Sequence, residues 1–190
     1  MNRQTVTALA LLSGLTVTIL TVSACGQRAE QAEPESPPEE ETQVAAERPD
    51  TNGESMWAYL QVSHYQENWQ TWPGKGELYA GQEPHGMLLT TYLNDAALAA
   101  LTGKAGVMPD GAIIVKENYM PDSTLAAITV MYKVAGYNPD HNDWFFTKHK
   151  PTGELNTMPN GMAMEGRLPG CQSCHLVKKD NDYLYTGLIK

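Results

Sequence analysis

Cysteine is scarce in this chain: three in 190 residues, too few for a disulfide scaffold. Basic side chains are also in deficit, 13 Lys and Arg against 22 Asp and Glu, for a net charge of −9. That balance excludes a protein that holds nucleic acid, or anionic lipid, by charge. There is no internal repeat, no dinucleotide-binding glycine signature and no phosphate loop. Residues 27–55 contain no aromatic residue, and Val44 is their single large apolar side chain. Such a stretch cannot bury enough surface to offset its ordering entropy, so residues 25–55 read as a disordered acidic tether. Residues 28–54 alone contribute −7, which leaves the chain from residue 55 onward only mildly acidic. The globular part, 56–190, has the size of one ordinary domain.

What is present begins with a short polar start containing Arg3 and an apolar run from Val6 to Val22, diluted by threonine and serine. This is export-signal anatomy, and the run falls short of the roughly 20 strongly apolar residues of a comfortable membrane span. Val22-Ser23-Ala24-Cys25-Gly26 resembles a bacterial lipobox. It implies a signal peptide over 1–24, cleavage before Cys25 and a lipidated thiol that anchors the chain on the periplasmic side of a membrane. Gly26, in place of an aspartate, favours the outer membrane. An uncleaved anchor helix with an incidental cysteine is the alternative, and it also puts the remainder outside the cytoplasm.

The globular part reads as α+β, mainly antiparallel sheet with flanking helices. Met56–Leu60 with Tyr65 and Trp69 suggests a helix burying an aromatic face. Residues 87–93 read as a strand, and Asn94-Asp95 as the cap of an alanine-rich helix through Thr102. Further strands are expected at Ala112–Tyr119, Leu125–Val134 and Asp143–Lys148, separated by turn chemistry at Asp110-Gly111, Pro121-Asp122 and residues 136–143.

The motif with chemical content is Cys171-Gln-Ser-Cys174-His175. C-x-x-C-H is the attachment sequence of c-type haem: two thiols add to the two porphyrin vinyl groups, and the adjoining imidazole reaches the iron. A thioredoxin-like C-x-x-C belongs at a helix start in a parallel α/β unit, not in antiparallel surroundings. A structural zinc site needs a second Cys/His pair, and there is none. A disulfide between cysteines three apart is strained. One covalent haem c, with His175 as the metal ligand, is therefore the expected cofactor. Small electron-carrier cytochromes bind haem near the amino terminus and are helical throughout. Here the motif follows a mostly β body, about 15 residues from the last residue given, which argues against an ordinary shuttle.

Gly111–Tyr119 (Gly-Ala-Ile-Ile-Val-Lys-Glu-Asn-Tyr), Thr129–Lys133, Asp143-Trp-Phe-Phe146 and the C-x-x-C-H segment together resemble the cytochrome P-460 family, related in fold to cytochrome c′-beta, from about Trp57 to Tyr185. The resemblance implies an antiparallel sheet with flanking helices, a homodimer, one haem held by the carboxy-terminal segment, and a lysine joined to a porphyrin meso carbon, which falls on Lys116. Strand alternation is consistent with it. Ile114, Lys116 and Asn118 share one face and Val115 and Glu117 the other, and an amine among apolar neighbours is pushed towards its neutral, nucleophilic form. Without the resemblance, Lys116 and Glu117 read as a surface pair on an edge strand.

The expected activity is oxidation of hydroxylamine or a similar small nitrogen compound, with electrons passed to a periplasmic carrier. The family's distal polar groups are not matched: Leu89 stands where the best-known enzyme has an arginine, and Thr129 where it has a carboxylate. His85, placed on the face of 87 and 89 by alternation, is the candidate catalytic proton relay; its other reading is a turn histidine away from the haem. Binding of a diatomic gas, nitric oxide or carbon monoxide, is the rival function, and electron transfer through a His/Met-ligated iron the third. Met158, Met162 and Met164 read as packing or loop residues, and His64, His141 and His149 as surface residues.

Overall fold

The computed structural model describes residues 47–190. The signal peptide, Cys25 and the tether as far as residue 46 lie outside the described residues. The chain runs through α1 (Gly53–Val62), α2 (Tyr65–Asn68), β1 (Gln70–Thr71), β2 (Tyr79–Ala80), β3 (Leu88–Leu93), α3 (Asp95–Thr102), β4 (Ile113–Tyr119), β5 (Leu125–Lys133), β6 (Trp144–His149), β7 (Glu165–Gly166) and α4 (Pro169–Leu176). Among the described residues the strands form one seven-stranded antiparallel sheet, ordered β1-β3-β4-β5-β6-β7, with β2 also paired to β3. The fold is α+β, as the strand-forming segments and the turn chemistry between them indicate.

Local chemistry sets the boundaries. The Asn94 side-chain oxygen accepts from Ala97 N at the start of α3 and from Ile113 N at the start of β4, both at 3.0 Å, while its amide donates to the Gly111 carbonyl at 2.9 Å. One asparagine thus caps the helix and fixes where β4 begins. The Asn52 side chain accepts from Ser55 N at 2.8 Å to cap α1. The helix therefore opens inside the stretch read as tether, where Pro49 is buried and Arg48 pairs with Asp110 at 2.6 Å. The single aromatic helix expected from Met56 to Trp69 is two helices, broken at His64, whose φ of 45° is left-handed. Met56 and Leu60 are the large side chains it buries in α1.

The sheet is covered on both faces, which is why its central strands are not cleanly alternating in sequence. Against one face lie Met56, Leu60 and Tyr65, packed with Tyr92, Val115, Ile128, Val130 and Phe145. Against the other, α3 and the carboxy-terminal segment pack on Leu93, Ile114 and Phe146, with Trp144, Leu168, Tyr183 and Ile189 in the same core and Cys171 at its border.

Two histidines depart from the surface reading. His149 is fully buried. Its Nδ1–H donates to the Gly153 carbonyl and its Nε2 accepts from the Thr147 hydroxyl, both at 3.0 Å. Its ring lies 5.4 Å from that of Trp57, and a Cβ at Gly153 (φ +94°) would overlap the same indole, so glycine is required there. His141 is partly buried, with Nδ1 3.2 Å from the Tyr183 hydroxyl. His64 is exposed.

Candidate functional site

Pro169 opens α4, where its missing N–H costs nothing. Cys171 and Cys174, three residues apart on this helix, are neighbours on its surface. Both are free thiols; Cys171 is partly buried and Cys174 exposed. His175 is buried, and its Nδ1 lies 2.7 Å from the Tyr183 carbonyl oxygen. A carbonyl can only accept, so Nδ1 carries the hydrogen and the lone pair of Nε2 is uncommitted. This is the tautomer a metal-ligating histidine adopts when a backbone carbonyl orients it. Burial lowers the basicity of His175, the Tyr183 carbonyl opposes that, and the charge of Lys116 adds to the lowering. Burial pushes the Cys171 thiol up, with Lys148 pulling the other way. The imidazole of His175 lies 5.7 Å from Phe146, 5.4 Å from Tyr185 and 6.1 Å from His85, centroid to centroid.

The wall facing α4 is the sheet. Register sets Thr91, Lys116, Thr129 and Lys148 in one row across β3 to β6, and Leu93, Ile114, Met131 and Phe146 in the next. Directly opposed residues share a face, so Lys116 stands on the face that carries Phe146. Burial lowers the Lys116 amine from 10.5 to about 8. No hydrogen bond or ion pair engages its Nζ among the described residues.

His85 reaches this face by a route other than alternation. It lies in a turn, β3 starts only at Leu88, and Met87 is exposed. The turn approaches the end of β4 closely: a Cβ at Gly86 (φ +101°) would stand 2.9 Å from the Tyr119 carbonyl. The amide nitrogen of Asn118 donates to the carbonyls of Lys116 and Ala127 at 2.9 and 3.1 Å. Its oxygen therefore faces His85 and accepts from Nδ1 at 3.1 Å, leaving His85 Nε2 free as well. Burial, then the charges of Lys116 and His175, lower the His85 imidazole to about 3, so it is uncharged at neutral pH.

Glu117 points to the other face. It is fully buried and accepts from Tyr65 Oη at 2.8 Å, Gln66 Nε2 at 2.5 Å and Tyr119 Oη at 2.6 Å. The pleat thus separates two adjacent residues of opposite charge. Met158 and Met164 border the apolar core and Met162 is exposed.

The structure therefore brings Lys116, His85, Cys171 and His175 to one face of the sheet. Three partners were not singled out from sequence. Asn118 was within reach of the alternation rule; Lys148 lay in a segment read only as a strand; the Tyr183 contribution is a backbone carbonyl, which has no residue signature. This donor set fits a haem: two unpaired thiols on one helical turn, a buried imidazole with a free Nε2, and the aromatic and aliphatic wall of Phe146 and Ile114.

The chain matches no curated protein. The family model described as Cytochrome P460 matches residues 55–186, spanning α1 to beyond the C-x-x-C-H segment. The chain belongs to the cytochrome P460 family and is a haem cytochrome of that type.

Proposed function

We propose that this protein is an exported, lipid-anchored oxidoreductase that takes electrons from hydroxylamine or a similarly small nitrogen compound. The observation that carries the reading is the pair of imidazoles, His175 and His85, each with Nδ1 tied to a protein acceptor and Nε2 free, beside an amine held partly neutral. In this reading Cys171 and Cys174 would hold one haem c through thioether bonds, His175 Nε2 would ligate its iron, and Lys116 would supply a further covalent link. The haem, when bound, supplies a redox-active iron that binds the substrate and accepts its electrons.

The protein's own part is positioning and proton handling. Asn118 holds the His85 ring so that Nε2 is the acceptor for a substrate proton. Leu89 and Phe146 are buried on the same face and keep water from it. Cys25 fixes the chain to the periplasmic side of the outer membrane, where a soluble carrier collects electrons, and the protein works as a homodimer.

The test is steady-state turnover of the full-length holoprotein with hydroxylamine and an electron acceptor. Sustained cycling supports the reading, and tight binding of nitric oxide with no turnover sinks it. One observation favours that second outcome, a gas-binding module: Leu89, Thr91, Lys116, Asn118, Thr129 and Lys148 line this stretch of the sheet face without a carboxylate among them.

A further inference from the structure

Asp182 is almost completely buried, yet it collects contacts from four separate segments. Its carboxylate pairs with Lys133 Nζ at 2.7 and 3.0 Å, accepts from Asn142 Nδ2 at 2.9 Å and accepts from Met108 N at 2.6 Å. Its carbonyl accepts from Trp144 Nε1 at 3.1 Å, and the Lys133 ammonium stands 4.7 Å over the Trp144 ring. The next residue, Tyr183, presents the carbonyl that takes the His175 Nδ1 hydrogen at 2.7 Å. Asp182 and Tyr183 both have left-handed φ values, 50° and 68°. Two consecutive residues with side chains persist in that region only where their surroundings over-determine them. A buried ion pair is weak ground for stability, because apolar residues of the same volume often serve as well. What it does provide is fixed geometry.

We infer that the Lys133–Asp182 pair is a positioning device: it locks the Tyr183 carbonyl onto His175 Nδ1 and so sets how strongly Nε2 donates to a bound metal. The inference rests on the haem reading given above. A hydrogen bond at one imidazole nitrogen fixes the ring's orientation and raises the basicity of the other. Loosening the 182–183 corner weakens that bond without touching the ligand, the thiols or Lys116 itself.

The test uses full-length holoprotein in four variants: Asp182→Asn, Lys133→Met, Asn142→Ala and His149→Gln, the last a destabilised control on the far face of the sheet. Haem content per chain is measured first, and a wild-type protein without haem overturns the haem reading and this inference together. Given haem, the readout is the iron–histidine stretching frequency of the ferrous protein by resonance Raman spectroscopy. The expected result is a downward shift in both Asp182→Asn and Lys133→Met, a smaller one in Asn142→Ala, and none in His149→Gln. Opposite shifts in the first two would mean that charge alone acts through space, and overturn the inference. An unchanged frequency in variants that are merely less stable would do the same. If neither core variant folds, Asn142→Ala decides alone, because Asn142 is only partly buried; an unshifted band there also overturns it.

Discussion

Glu117 is the sharpest point at which to test whether the two faces of the sheet have separate jobs. It is a buried carboxylate with no cation beside it, satisfied by two phenols and an amide. Truncation to alanine strands those donors unequally. Gln66 is exposed and Tyr119 partly so, and water can replace the lost partner, whereas Tyr65 is 3% exposed and has no substitute. One buried orphan donor costs about 1–3 kcal/mol, and the vacated volume adds roughly 1–2 kcal/mol. The expected loss is about 3–4 kcal/mol, or roughly 10–15 °C in Tm for a domain of this size. Glu117→Gln keeps an oxygen for Tyr65 and removes the charge, so it should cost less than about 1 kcal/mol. Both variants should keep the haem spectrum and hydroxylamine turnover of wild type, because the carboxylate lies across the sheet from Lys116. Alkaline titration gives a further check: the Tyr92 phenol, pushed up to about 12 by burial and then by Glu117, should ionise earlier in Glu117→Gln. The reasoning fails if Glu117→Gln is as destabilising as Glu117→Ala, since the charge itself would then be what the fold needs. It also fails if Glu117→Gln abolishes turnover, since the carboxylate would then reach the reacting face.

Replacing His85 by alanine should lower hydroxylamine turnover about 10²-fold while nitric oxide still binds; a wild-type ferric spectrum of low-spin bis-imidazole type that turns high-spin in the variant would instead make His85 a ligand. In Lys116→Met the reduced protein should absorb at the ordinary c-type position, whereas wild type should absorb at longer wavelength, and proteolysis of wild type should yield no free Lys116 peptide. His149 gives the pH prediction. Burial lowers its folded-state value below 6.5, so on acidification the unfolded chain takes up this proton first. Stability associated with His149 is complete above about pH 6.5 and is lost as pH falls from there towards the folded-state value; denaturant melts at pH 5 and 7.5 should show a smaller difference for His149→Gln than for wild type. Lys133→Met should cost about 3–5 kcal/mol by leaving Asp182 buried and unpaired, and a loss below 1 kcal/mol would show that water reaches the pair.

The elements legible in the sequence are those whose local chemistry and tertiary role agree. The four long strands, and the helix capped by Asn94, lie within a residue or two of their expected ends because turn residues and side-chain caps mark them. The two-residue strands β1, β2 and β7 have no such signal, since each exists only through the neighbour it pairs with. His149 looked like a surface residue because Lys148, Lys150 and Pro151 flank it, but the strand turns it inward under Trp57 and Gly153. His85 shows the reverse: the expected face was right and the stated cause wrong, because a glycine turn against Tyr119, not strand alternation, carries it there. The C-x-x-C-H segment names a cofactor without revealing what orients its histidine, since that task falls to a main-chain oxygen eight residues away.

The order Lys116-Glu117 looks like a ready-made ion pair, and in a helix or an open loop it could form one. A strand with both faces covered forbids it, because successive side chains leave on opposite sides. Each charge must then be accommodated alone. The carboxylate meets phenols that stabilise it by hydrogen bonds, and burial, with the carboxylate's charge adding to it, drives their own ionisation upward. The amine meets threonines and two imidazoles, none of them anionic, so burial goes unopposed and lowers its value to about 8, which leaves a larger neutral fraction than an exposed lysine has. A carboxylate on the Lys116 side of the pleat would keep the amine charged and unreactive. The reactivity proposed for Lys116 therefore depends as much on where β4 sends Glu117 as on the residues the lysine touches.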